Sequence, residues 1–370
     1  MPHEPSSSHH VSVVTADSGA RRQLPALDGI RALAIIGVYI FHVWPAVLPG
    51  GFKGVDVFFV LSGFLITSII RKNLADGVFS FREFYLRRVQ RLLPNAALTV
   101  AATVLFVVVF LPSSIANQAA RHGLWSLFNL SNLFAYRYLG DYWGSGAENV
   151  PLTHYWSLGV EEQFYILFPL VFFLLWKFLR RWVPLVLIAG AIVSFALCFQ
   201  MTRVDKITAF YLPQYRFWEL LAGAVLACGC NLFERNVGGG HKCLPCNGLR
   251  LIGLLSGFLG IILIAISFIY KVPSKTFPRE IALLSVLGSV CLIYAVLARG
   301  TFFNRLLSLA LFTAIGRVSY SLYLWHWPPI VFGGLVCEYY FLNNFDGALA
   351  RAAGGVISIL FAIAAYFLVE

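Results

Sequence analysis

Charge is what this 370-residue sequence has least of: Asp, Glu, Lys and Arg make up 12% of it, and only 17 residues are acidic. A water-soluble domain carries about twice that share. With 59% of residues hydrophobic, the shortage excludes a soluble enzyme, a disordered chain and a secreted disulfide scaffold. The seven cysteines make no secreted framework. Cys198, Cys291 and Cys337 fall in or near apolar runs, where cysteine behaves as a small apolar residue. Cys228-x-Cys230 and Cys243-x-x-Cys246, with His241 between them, are zinc-ligand types. The first pair ends a helix and the loop holds Gly238-Gly-Gly240, so no metal site is assigned. There is no internal repeat, which weighs against transporter folds built from inverted repeats. No Gly-x-Ser-x-Gly or His-x4-Asp pattern supplies a nucleophile.

What is present is a succession of apolar runs from residue 30 to the end, the pattern of one polytopic membrane domain. The spacing predicts an all-α polytopic membrane protein with about ten transmembrane helices and short loops. The spans fall near 29–45, 54–71, 95–112, 163–181, 183–200, 214–230, 249–269, 281–298, 317–336 and 348–369. The segment 122–136 carries Asn129, Asn132 and Arg137 and reads as a half-membrane or interfacial helix. Residues 1–23 are polar and read as a disordered cytoplasmic tail ahead of a membrane domain over 24–370. Arg21-Arg22 resembles a twin-arginine signal, but the span that follows contains Arg31 and lacks a small-residue cleavage site, so it reads as a retained anchor.

The net charge is +11, from 28 Lys and Arg. With the N-terminus inside, seventeen of them fall in cytoplasmic segments and ten in outer ones, leaving Arg31 within the first span. This balance predicts a plasma-membrane protein with both termini cytoplasmic. The charge is therefore read as membrane-flanking, with no nucleic-acid partner.

Ionisable residues inside spans are functional candidates. Arg31 and His42 share the first span. Eleven residues at 100° bring them to nearly the same face, about 16 Å apart along the axis. That stripe holds a cation near the inside and an imidazole near the outside; snorkelling of Arg31 and an interfacial His42 beside Trp44 is the structural alternative. Phe81-Arg-Glu-Phe-Tyr-Leu-Arg-Arg-Val-Gln-Arg-Leu-Leu-Pro94 reads as an amphipathic cytoplasmic helix leading into the third span. Its Arg88 and Arg91, three residues apart, make a phosphate clamp or else ordinary positive-inside charge. Thr153-His-Tyr-Trp-Ser-Leu-Gly-Val-Glu-Glu-Gln-Phe-Tyr165 sets Glu161 and Glu162 at the outer start of the fourth span. There either one would hold the imidazole of His42 in one tautomer, or simply complement the helix dipole. Asp56, in Gly54-Val-Asp-Val-Phe-Phe-Val-Leu-Ser-Gly-Phe-Leu-Ile66, begins a span on that same side. Gly316-Arg-Val-Ser-Tyr-Ser-Leu-Tyr-Leu-Trp-His-Trp-Pro328 places His326 near mid-membrane, before two prolines that break the helix.

These segments, together with Leu27-Asp-Gly-Ile-Arg-Ala-Leu-Ala34, resemble the bacterial membrane acyltransferase 3 family in content and order. The family includes O-antigen, peptidoglycan and antibiotic acyltransferases, and the match runs from about residue 24 to the end. The resemblance implies a ten-span acyltransferase domain that takes acyl-CoA, commonly acetyl-CoA, from the cytoplasm as co-substrate, with no permanently bound cofactor. The acceptor it implies is a carbohydrate or glycolipid hydroxyl. By motif the catalytic histidine falls on His42 and the donor-binding pair on Arg88 and Arg91. Glu161 and Glu162 join His42 as catalytic candidates and Arg31 joins the donor site. Asp28, Asp56, Trp156, Ser157 and His326, in the same motifs, are supporting candidates.

In this reading His42 acts as general base toward the acceptor or carries the acyl group covalently; the sequence leaves both open. A transporter or flippase, with Arg31, His42 and the Glu pair as a proton relay, is the rival from another class, and a non-catalytic membrane scaffold a third. Relatives usually continue past the last span, many into an extracytoplasmic hydrolase-like domain. Whether the end at Glu370 is native or the edge of a fragment stays open.

Overall fold

The computed structural model describes residues 25–142, 144, 147, 149–229, 246–271, 277–298, 301–340 and 347–370. The expected tail over 1–23 lies outside the described residues, as do Cys230, His241 and Cys243. The described residues are helical, without a strand. Seven helices are long and apolar enough to cross a membrane. They include α1 (Pro25–Val43), α2 (Gly54–Ala75) and α3 (Phe81–Phe110). A shorter helix, α4 (Ser113–Leu127), follows, then a single turn, α5 (Ser131–Phe134). The crossing set continues with α6 (Tyr155–Phe178) and α7 (Val183–Val204). Beyond a short α8 (Lys206–Tyr211) come α9 (Phe217–Gly229), α10 (Cys246–Ile269) and α11 (Ala282–Leu297). The last elements are α12 (Phe302–Leu307), α13 (Ala310–Trp325), α14 (Trp327–Tyr340) and α15 (Gly347–Leu368).

All ten expected spans are helical where described, but three differ from a simple crossing. α9 and α11 are shorter apolar helices. The run over 317–336 is two helices joined at His326, where Pro328 and Pro329 begin the second. A proline has no N–H to donate and its ring crowds the preceding turn, so a new helix starts there.

The stretch 81–94 is not set off from the third span it leads into: α3 runs unbroken through Pro94. Hydroxyls of neighbouring helices flank that proline: Tyr320 donates to the Leu92 carbonyl at 2.8 Å and Tyr155 to that of Ala96 at 3.1 Å. Packed neighbours of this kind let a membrane helix keep a proline. The expectation of one helix over 122–136 is corrected. α4 ends at Leu127, and Asn129 takes a positive φ of 58°.

α1 and α2 are the most enclosed of the long helices and α7 the least. The outer surface presents Leu105, Val109, Ile192, Val193 and Leu360, a skin suited to hydrocarbon. Small residues bring the inner helices together. A Cβ on Gly316 of α13 would stand 1.9 Å from the carbonyl oxygen of Asp28 in α1. One on Gly63 of α2 would stand 1.8 Å from that of Leu220 in α9, and one on Gly223 1.9 Å from that of Val60. Such backbone contact is the usual packing of membrane helices, where lipid gives no hydrophobic drive to associate.

Candidate active site

His42 lies in the last turn of α1, and the break between α13 and α14 sets His326 beside it. His42 Nδ1 and His326 Nε2 are 3.1 Å apart. On the other side of the His42 ring, Nε2 lies 3.0 Å from the Tyr142 hydroxyl. The Trp327 ring packs on His42 at 4.6 Å between centroids, and its Nε1 donates to the Val150 carbonyl at 2.9 Å. A third imidazole, His154, sits 5.2 Å from the His326 ring. His154 Nε2 donates to the Leu324 carbonyl at 3.0 Å, while its Nδ1 is buried without a hydrogen-bond partner among the described residues. All three rings are buried.

From His154 a polar strip runs down one side of α6 through Ser157, Glu161 and Tyr165, at the three- and four-residue steps that keep side chains on one face. The Ser157 and Tyr323 hydroxyls are 2.5 Å apart, and Tyr323 also donates to the His154 carbonyl at 3.0 Å. A turn further along, Glu161 accepts from Ser62 at 2.5 Å and from the Tyr165 hydroxyl. Glu162 pairs with Arg88 of α3 at 3.4 Å, and the Arg88 guanidinium lies over the Tyr165 ring, 3.3 Å from its centroid. Arg88 Nε has no hydrogen-bond partner among the described residues. Arg91 stands in the field of Arg31, the Glu370 carboxylate and Arg88, and Arg31 donates to Asp28 at 2.8 Å.

The arginines and the histidines therefore terminate one polar strip. Arg31 and His42 on α1, and Tyr165 on α6 and His154 at its N-terminal cap, are each eleven residues apart, about 16 Å of helix. This corrects the expected position of Glu161 and Glu162. α6 begins at Tyr155, so the pair sits two turns inside the helix, about 10 Å along its axis. There the carboxylates meet Arg88, Ser62 and Tyr165, and the partner of His42 is His326.

A second buried polar cluster stands apart. Asp56 on α2 accepts from Arg216 at 2.7 Å and from Ser285 of α11 at 2.8 Å. Arg216 also lies 3.2 Å from Glu219. The guanidinium is ringed by Phe59, Trp156, Phe210 and Phe277 at 5.2–5.7 Å. Asp56 and Trp156 thus support a joint between α2, α9 and α11, whereas Ser157 and His326 belong to the histidine end.

Sequence reasoning missed His154, Tyr142, Tyr323 and Tyr165 as site residues, and the Arg216–Glu219 pair altogether. His154 and Tyr323 stand inside motifs already singled out, and an Arg and a Glu at three-residue spacing entering an apolar run was a readable signal. Tyr142 had none, since its place depends on how its loop returns to α1. Among the described residues no group of three His, Cys, Asp or Glu is disposed to hold a metal ion.

A family model described as an acyltransferase domain matches residues 24–367. The chain belongs to the acyltransferase 3 family. It is 35% identical over 315 residues to the O-acetyltransferase OatA of Staphylococcus aureus (strain NCTC 8325 / PS 47), covering 84% of this chain and 51% of that protein. It is 32% identical over 327 residues to the putative peptidoglycan O-acetyltransferase YrhL of Bacillus subtilis (strain 168), covering 86% of this chain and 50% of that one. A putative O-acetyltransferase of S. aureus (strain COL), SACOL0978, is 31% identical over 318 residues, 84% of this chain and 51% of the relative. The chain thus spans about half the length of these relatives. No solved structure matches it. The match is thus to an acyltransferase domain, the first of the three readings, and not to a transporter or a scaffold.

Proposed function

We propose that this domain transfers an acyl group, acetyl in the first instance, from cytoplasmic acyl-CoA to a saccharide hydroxyl of the cell envelope. The observation that carries the reading is the polar strip itself, with three arginines at one end and, at the other, a buried imidazole whose Nε2 meets a hydroxyl, that of Tyr142. Arg88 and Arg91, with Arg31 beside them, suit the phosphates of CoA. The arm of the donor then lies along α1 and α6, and the thioester reaches His42. His42 takes the proton of the acceptor hydroxyl as its oxygen attacks the thioester carbonyl. The C–S bond breaks, and the proton passes from His42 to the departing thiolate. Glu161 and Glu162 act on the donor side, holding Arg88 and Tyr165 in place.

Both termini and the start of α3 are cytoplasmic in this reading, with His42 toward the outer face of the plasma membrane. The names of the relatives, which are O-acetyltransferases, support the acetyl group and an oxygen acceptor. The test uses purified protein in detergent with acetyl-CoA. Release of free CoA that depends on an added saccharide, with the acetyl group recovered on that saccharide, is the expected result. No CoA release with any hydroxyl acceptor, from folded protein, overturns it.

A further inference from the structure

Three buried polar arrangements lie beyond the assigned roles: the Arg216 joint, the Nδ1 of His154 and the contact between His42 and His326. The last carries an argument to the level of single protons. A carbonyl oxygen only accepts, and His326 Nδ1 lies 2.7 Å from the Tyr323 carbonyl, so that nitrogen bears the hydrogen. A neutral imidazole has one N–H, which leaves His326 Nε2 with its lone pair. That lone pair is 3.1 Å from His42 Nδ1, so His42 Nδ1 bears the hydrogen and donates it; the Val38 carbonyl one turn back on α1 is a further acceptor for the His42 ring. His42 Nε2 is then the free lone pair, and it receives the Tyr142 hydroxyl at 3.0 Å. The rings are enclosed by Trp327 and Phe41, with no carboxylate in contact among the described residues, a setting that favours neutral imidazoles.

We infer that His326 is the positioning residue of the reaction: anchored on the Tyr323 carbonyl, it fixes His42 as the Nδ1–H tautomer and so makes Nε2 the base. This rests on the proposed function and deepens it. In hydrolase triads a carboxylate does this work; here a neutral imidazole does it, and no second charge has to be buried. The break at Pro328 has a use in this scheme. It ends α13 at the residue whose ring must turn toward α1, and the Tyr323 carbonyl three residues back orients that ring. When Nε2 takes the acceptor proton, the new imidazolium keeps its Nδ1–H bond to His326, which shares the positive charge until the thiolate recovers the proton. The titratable groups around His42 are His326, His154, Tyr142 and Tyr323.

The test compares His326→Gln with His326→Met, two unbranched side chains of similar size of which only glutamine offers a carbonyl acceptor for the His42 Nδ1–H. Both are measured beside His42→Ala, each checked for monodispersity and thermal stability. In His326→Met, kcat falls at least about tenfold while KM for acetyl-CoA holds. Loss of the acceptor destabilises the imidazolium, so the acid limb of kcat/KM moves about one unit or more to lower pH. His326→Gln restores most of kcat and returns the limb. In 15N-histidine-labelled wild-type protein, the His42 shifts report a protonated Nδ1 and a bare Nε2. Wild-type kcat and pH limb in His326→Met, or glutamine no better than methionine, or the opposite tautomer by 15N shift, each overturns the inference. If His326→Met does not fold, activity of His326→Gln at the level of His42→Ala overturns it. Full activity in His42→Ala would instead overturn the proposed function.

Discussion

Arg88 of α3 and Glu162 of α6 meet at 3.4 Å, with the Arg88 guanidinium stacked over Tyr165. An arginine held this way has one face committed to protein and Nε left over, and it stands between the cationic end of the strip and its middle. It ties the donor end to the helix that carries His154 and Ser157. Displacement of Arg88 therefore acts on both binding and architecture, whereas Arg91, which among the described residues feels the Glu370 carboxylate without a hydrogen bond to it, is freer to serve a ligand.

Arg91→Ala is expected to raise KM for acetyl-CoA roughly tenfold or more with kcat nearly unchanged, the signature of lost binding through one charge-assisted contact. Steady-state kinetics with acetyl-CoA and with acetyl-pantetheine check this. The penalty shrinks for the donor without phosphates; equal penalties assign Arg91 to topology alone.

Arg88→Ala is expected to cost stability as well as affinity, because it leaves Glu162 buried without its cation. Removing one partner of a buried pair costs about 3–5 kcal/mol; Arg88 and Glu162 keep about a fifth of their side-chain exposure, so the loss falls below that range. The double variant Arg88→Ala with Glu162→Gln should recover most of the thermal stability and none of the donor affinity. Melting curves beside KM measurements separate the two.

His42→Ala removes the base and should lower acetyl transfer by about 10²–10⁴ in a folded, membrane-inserted protein. A wild-type rate in that variant refutes the assignment.

Arg216→Met and Gly223→Val are expected to weaken the joint between α2, α9 and α11 by different routes. The first leaves Glu219 buried without its cation and Asp56 with only the field of Lys53, at about 3–5 kcal/mol. The second drives a side chain into the Val60 carbonyl, 1.9 Å from where its Cβ would stand, an overpacking cost of about 1–3 kcal/mol. Thermal unfolding in detergent should rank Arg216→Met below Gly223→Val.

Sidedness has its own check. In a background without the native cysteines, Asp76→Cys, ahead of α3, should resist an impermeant thiol reagent in intact cells, and Ser114→Cys, after α3, should react. Both positions are exposed. The reverse pattern puts the arginines on the wrong face for acyl-CoA.

The sequence by itself determined that the chain is a bundle of apolar helices, because its apolar runs are of helix-spanning length and a helix satisfies its backbone within itself. It also singled out Arg31, His42 and His326, since an ionisable side chain inside an apolar run is rare enough to be conspicuous, and Arg88 and Arg91 as two cations on one face of an amphipathic stretch. Which of these meet was not legible. Contact depends on where each helix starts and how far it slides past its neighbour, and a few residues of offset move a side chain a whole turn. The start of α6 at Tyr155 carried Glu161 and Glu162 away from His42 to Arg88. The break after Trp325 turned His326 onto His42. Hydropathy fixes the axis of a span only loosely and its rotation hardly at all; the close approaches at Gly63, Gly223 and Gly316 set the register, and those are properties of pairs of helices.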